Sequence, residues 1–190
     1  MIYLLVSHGN RKLAKDTLIF NITSATNCPS KRLGLCQIPN KCYALRPEKR
    51  WKATLPYRER QTREWDSKTS KELATELKHE IQRHFKTIIK YIRFSEAGDF
   101  RNQDDIEKLK RIATYIPTVI FYGYTARKDL DFHDLPDNLI INGSGFMLHN
   151  SFSVISKKDK DHYPIVCHGN CGSCVLCKTK SYEEIKVPIH

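Results

Sequence analysis

The chain has 190 residues, enough to bury a core as one domain. Its 40% hydrophobic and 28% charged content excludes a disordered, collagenous or coiled-coil chain. No apolar run approaches the roughly 20 residues of a spanning helix, and the start, Met1 to Val6, is too short for a signal-peptide core, so the expected compartment is cytoplasmic, with no membrane partner.

In chain order, Met1 to Lys15 carries Gly9 and several basic residues, and Leu18, Ile19, Phe20 and Ile22 read as a buried strand. Asn27 to Arg46 reads as a loop broken by Pro29, Gly34 and Pro39, in which Cys28, Cys36 and Cys42 are separated by seven and then five residues. A polar helical region follows from about Tyr57 to Lys86, with Leu73, Leu77, Ile81 and Phe85 every four residues and a capping box, Thr69 with Glu72, at its second half. Ile88 to Phe94 predicts a strand. Asn102 caps a helix with the stripe Ile106, Leu109, Ile112 and Ile116, which Pro117 stops.

Thr118 to Tyr122 is the next predicted strand, then a helical or turn segment around Lys128 to Leu135, then strands at Asn138 to Asn142 and Phe152 to Ser156. Strands alternating with helices predict an α/β fold with a mostly parallel sheet, as a partial (β/α) barrel or an open sheet. The expected organisation is a single α/β domain over 1–190, in which 157–190 form a cysteine-rich, cluster-binding C-terminal extension.

Seven cysteines and a formal charge of +11 stand out. An odd cysteine count in an unsecreted chain argues for metal ligation or redox chemistry rather than disulfides. Cys167, Cys171, Cys174 and Cys177, separated by three, two and two residues with Gly169 and Gly172 between them, form a loop tight enough to wrap one compact cluster. The same spacings in reverse order occur in bacterial ferredoxins. Zinc is the alternative, although zinc sites usually pair two knuckles a dozen or more residues apart. Cys28, Cys36 and Cys42 supply three thiolates, which leave one iron of a [4Fe-4S] cluster open to a substrate, to S-adenosylmethionine or to a side chain such as His8 or Asp99. The alternative is that one of the three only packs in the core. With two such clusters the net charge would be about +8, still basic enough to attract a polyanion such as nucleic acid.

The triplet Cys42-Tyr43-Ala44, closing a three-cysteine loop after the first strand, resembles radical S-adenosylmethionine enzymes, although their cysteines mostly have three and then two residues between them. A closer likeness joins Gly9-Asn10 with Lys12-Leu13, Cys28-Pro29-Ser30, Cys42-Tyr43-Ala44, Gly98-Asp99-Phe100, Tyr122 through Arg127 and the terminal cysteines. Together they resemble the gene product eighty-eight family of phages and other mobile elements. The resemblance implies an iron-sulfur protein with a radical-enzyme-like α/β core and names no substrate.

Ser95-Glu96-Ala97-Gly98-Asp99 lies where those radical enzymes resemble one another in a segment holding the methionine amino group. Glu96 and Asp99 could accept from an ammonium and Gly98 permits close approach; the alternative is a plain turn capped by Asp99. Arg127 could hold a carboxylate or phosphate, and Tyr122 or Tyr124 could stack on a base or pack in the core. Asn142 to Gly145 is sufficiently explained as a loop. Basic residues along Arg46 to Arg63, with Trp51, Tyr57 and Trp65, predict either a nucleic-acid contact or a solvated helix face.

The expected function is therefore a radical-enzyme-like redox protein with two [4Fe-4S] clusters, with S-adenosylmethionine as candidate ligand at Glu96, Gly98, Asp99 and Arg127 and with an outside electron donor. The alternative is a non-catalytic nucleic-acid-binding or electron-transfer protein with structural iron-sulfur or zinc sites.

Overall fold

A computed structural model describes residues 6–7, 12–84 and 87–189. His8, Gly9, Asn10 and Phe85 lie outside the described residues. Six strands form one sheet: β1 (Thr17–Phe20), β2 (Tyr91–Phe94), β3 (Ile120–Thr125), β4 (Leu139–Ser144), β5 (Ser151–Ile155) and β6 (Glu184–Pro188). All neighbours are parallel and the spatial order is the chain order, so the sheet is open and every connection is a crossover. Among the described residues five α-helices accompany it: α1 (Pro29–Arg32), α2 (Leu45–Arg50), α3 (Thr54–Ser67), α4 (Ser70–Arg83) and α5 (Gln103–Tyr115).

One sheet face carries the main core. Leu18, Phe20, Ile92, Phe94, Phe121, Leu139 and Ile141 alternate inward along the strands and meet Leu73 and Leu77 of α4 and Ile106, Leu109 and Ile112 of α5. Both helices start as their sequence signals predict. Thr69 and Glu72 make a reciprocal capping box on α4, and the Asn102 side chain accepts from Asp105 N at 3.2 Å on α5. The predicted continuous helical region from Tyr57 to Lys86 is instead two helices, because Lys68 and Thr69 are extended and Thr69 serves as the new N-cap.

The opposite face carries Tyr91, Tyr122, Tyr124, Ile140, Phe152 and Ile185, covered by Cys167, Leu176 and Cys177 of the C-terminal tail. Two buried asparagines hold that cover. Asn142 Nδ2 donates to Cys177 O at 3.0 Å, while Asn150 Nδ2 donates to Thr179 O at 2.7 Å and its Oδ1 accepts from Ser181 Oγ at 2.6 Å.

Both sheet edges are capped. Ser7 exchanges two backbone bonds with Ile19 of β1, and Ile165 and Cys167 bond to Lys186 of β6. This is how a parallel sheet avoids leaving unpaired edge groups. Beyond β6, Cys171 N donates to Lys12 O at 2.9 Å. The tail thus touches one outer strand and the lead into the other.

Two sequence readings differ. The tail holds a sixth strand, β6, and the Asn27 to Arg46 loop contains α1 and the start of α2. Of the helical or turn segment around Lys128 to Leu135, the structure forms the turn, at Lys128 and Asp129.

Candidate functional site

The three N-terminal cysteines follow β1, at the carboxyl rim of the sheet, where parallel α/β folds collect ligands. Cys28 precedes α1, whose Ser30 Oγ donates to Asp99 Oδ2 at 2.6 Å. Cys42 packs with Leu45 against a small cluster of Ala25, Ala44 and Ala97. Between them the loop crosses the rim, since Gln37 Nε2 donates to Ser144 Oγ of β4 at 2.9 Å and to Phe152 O of β5 at 3.0 Å, and Gln37 Oε1 accepts from Val154 N at 3.0 Å. The cysteine loop is therefore strapped across the ends of β1 to β5.

Asp99 and Arg127 sit on this rim but are occupied by the protein. Asp99 is 4% exposed and accepts from Ser30 Oγ, Thr125 Oγ1, Phe100 N and Ala126 N. Burial pushes its carboxyl up, and these four donors pull against that shift. Arg127 forks onto Asp129 and donates to Phe100 O and Arg101 O. Both residues join strand ends to one another. Gly98, with φ of +75°, lets the turn lie on Thr23. Glu96 is the less buried acidic residue of the segment, its side chain 20% exposed and its Oε2 3.8 Å from Arg58 Nη2, and its carbonyl accepts from the Tyr43 hydroxyl at 3.0 Å.

Sequence reasoning missed Asn21, Thr23, Gln37 and Arg93. Asn21 Oδ1 accepts from Ala97 N at 3.0 Å and its Nδ2 donates to Gln61, joining β1, the β2 turn and α3. For Asn21 the signal available was a polar residue directly after the apolar strand β1. Arg93 projects from β2 onto the tail-covered face, 5.6 Å from the Tyr124 ring centre, with Nη2 donating to the Tyr43 hydroxyl at 3.4 Å.

The C-terminal thiols lie on the tail-covered face. Cys177 is 7% exposed and hydrogen-bonds to Tyr124. Cys167 and Cys177 pack in one apolar cluster on that face, while Cys171 N bonds to Lys12 O. Burial pushes Cys171 and Cys177 up, and pushes Cys28 up to about 11. Among the described residues, no three His, Cys, Asp or Glu side chains sit close enough together to hold a metal ion as placed. The donor set itself is all sulfur, which suits a soft metal, and binding would have to draw the thiols together and remove their protons.

The basic stretch from Arg46 to Arg63 is divided. Arg58 is buried and paired with Glu48 at 2.6 Å, and Trp65 is core, donating to Asp105 Oδ1. Trp51 is 55% exposed, with the Arg50 guanidinium 5.4 Å from its ring centre. No described helix is long and apolar enough to cross a membrane.

A family model, Gene product 88, matches residues 4–181. The chain belongs to the Gene product 88 family. No curated protein and no solved structure matches it. The Gene product 88 match spans all six strands except the last, together with both cysteine groups.

Proposed function

We propose that this Gene product 88 chain is an iron-sulfur redox protein built on a partial (β/α) barrel, with a substrate-accessible cluster at Cys28, Cys36 and Cys42 and a fully ligated one at Cys167, Cys171, Cys174 and Cys177. One observation carries the reading. The tail bonds to β6 through Cys167 and to Lys12, ahead of β1, through Cys171. The stretch between these cysteines reaches at most about 14 Å, whereas the outer strands of a flat six-stranded sheet lie roughly 24 Å apart. In this reading the sheet curls so that the tail and the lead into β1 meet across a short gap, with the other three cysteines at the carboxyl rim.

In this reading a cluster at the mouth supplies one-electron chemistry and an open coordination position. The protein orients what binds there: Gln37 fixes the strap, Asp99 and Arg127 hold the rim rigid, and Glu96 offers a carboxylate to a ligand ammonium. S-adenosylmethionine is the first candidate ligand, and the charge of +11 favours a polyanionic substrate such as nucleic acid.

Paramagnetic resonance of the reduced, anaerobic protein tests this. S-adenosylmethionine should perturb one cluster signal, which Cys28→Ser, Cys36→Ser or Cys42→Ser removes while the tail signal stays. A spectrum indifferent to the ligand removes the radical-enzyme reading and leaves electron transfer.

A further inference from the structure

The tail-covered face holds two cations that form no salt bridge among the described residues. Lys178 is 4% exposed, and its ammonium lies 4.2 Å from the Tyr91 ring centre and 5.8 Å from that of Tyr122. Arg93 is half-buried; its Nη2 donates to the Tyr43 hydroxyl at 3.4 Å and the Glu96 carboxylate acts on it, but its Nε is sealed from solvent and has no hydrogen-bond partner. The buried Arg58, by contrast, pairs with Glu48 at 2.6 Å. Beside them the Tyr122 hydroxyl, in a residue 1% exposed, is also without a partner. Sealed polar groups without partners are costly, so a face carrying these two beside a largely buried ammonium suits a negative group.

Position says which group. Arg93 lies 5.6 Å from the Tyr124 ring and Lys178 lies over Tyr91 and Tyr122, and these three tyrosines pack in one cluster with Cys167 and Cys177, whereas Cys28 adjoins α1 and the Asp99 turn. A centre of four thiolates around zinc, or around an oxidised cubane cluster, carries a charge of about −2, which two cations balance.

We infer that Arg93 and Lys178 are the built-in counter-charges of an anionic metal-thiolate centre held by Cys167, Cys171, Cys174 and Cys177, with the Tyr122 hydroxyl donating to one of its sulfurs. The inference rests on the metal-binding part of the function proposed above and adds what sets the affinity and potential of the tail centre. Arg93 and Lys178 are positioning residues: they touch no substrate, and they hold the charge that the centre needs.

The test uses the full chain with Cys28, Cys36 and Cys42 changed to serine, so that the tail alone binds. Zinc is titrated into the apo-protein against a chromophoric chelator. Arg93→Met and Lys178→Met should each weaken zinc binding roughly 10–100-fold, Arg93→Lys should stay near the parent, and the apo thermal midpoint of the methionine variants should not fall, since a charge without a salt bridge has gone. In the iron-loaded protein, Arg93→Met and Tyr122→Phe should both make the midpoint potential of the tail cluster more negative, because each removes a group that favours the more negative, reduced state. Unchanged zinc affinity in both methionine variants overturns the inference, as does a loss that tracks a lowered apo midpoint and is not rescued by Arg93→Lys. A parent chain that binds neither zinc nor iron instead takes down the metal reading itself.

Discussion

At Gly98 a single absent carbon decides whether the rim can form. A Cβ there would lie 1.9 Å from Thr23 Oγ1 and 2.8 Å from Thr23 O, at a φ of +75°. Gly98→Ala should therefore cost about 2–4 kcal/mol, read as a lowered thermal midpoint; an unchanged midpoint would mean the turn can move off Thr23. Glu48 and Asp105 act through charge. Burial alone would raise both carboxyls, but Arg58 with Ala25 and Thr26 holds Glu48 below the usual range, and Arg101 with Trp65 does the same for Asp105. A lowered folded-state pKa gives stability that is complete above the unfolded value and is lost as pH falls through the folded one. The thermal midpoint should stay level from neutral pH to about 5 and then drop. Glu48→Gln should start lower and drop less steeply, and an acid limb as steep as the parent's would clear Glu48 of that role.

Among the elements, the tail depends most on a few contacts. Asn150 bonds to Leu176 O, Thr179 O, Ser181 Oγ and Asn142 Oδ1, so Asn150→Ala strands several buried groups at about 1–3 kcal/mol each. In the apo wild type, Cys177 should be the last tail thiol to react with a thiol reagent. In Asn150→Ala it should react about as fast as Cys174. Continued protection of Cys177 would show that Asn142 alone holds the segment.

The same scale shows what the sequence made legible. The capped starts of α4 and α5 and the stripe of α5 were readable because caps and a 3.6-residue period are local signals. β6 was not, since Glu184, Lys186 and the closing Pro188 hide a short strand whose pairing with β5 is long-range. The break at Lys68 was readable only in part, because Thr69 marked a cap without saying that the preceding helix had ended.

Across the whole molecule, the alternation of strands and helices pointed to a parallel sheet, and the cysteine spacings separated two groups of thiols. Their arrangement was not readable. Gln37 reaches Ser144, Phe152 and Val154, and Arg93 meets a tail that begins far downstream, contacts that only the tertiary fold creates. The chemistry of Asp99 and Arg127 is legible in the sequence, whereas their bonds between strand ends are not. What remains is an open sheet with three thiols in a loop at its carboxyl rim and four in the tail that covers one face, where Arg93 and Lys178 also lie.

On the function proposed above, both thiol groups hold iron-sulfur clusters. Counting iron and acid-labile sulfide in wild-type protein purified without oxygen tests this. The expected result is a brown protein with roughly eight irons and a matching amount of sulfide per chain. Stoichiometric zinc without sulfide, or a colourless chain that takes up no iron on anaerobic reconstitution, would contradict it.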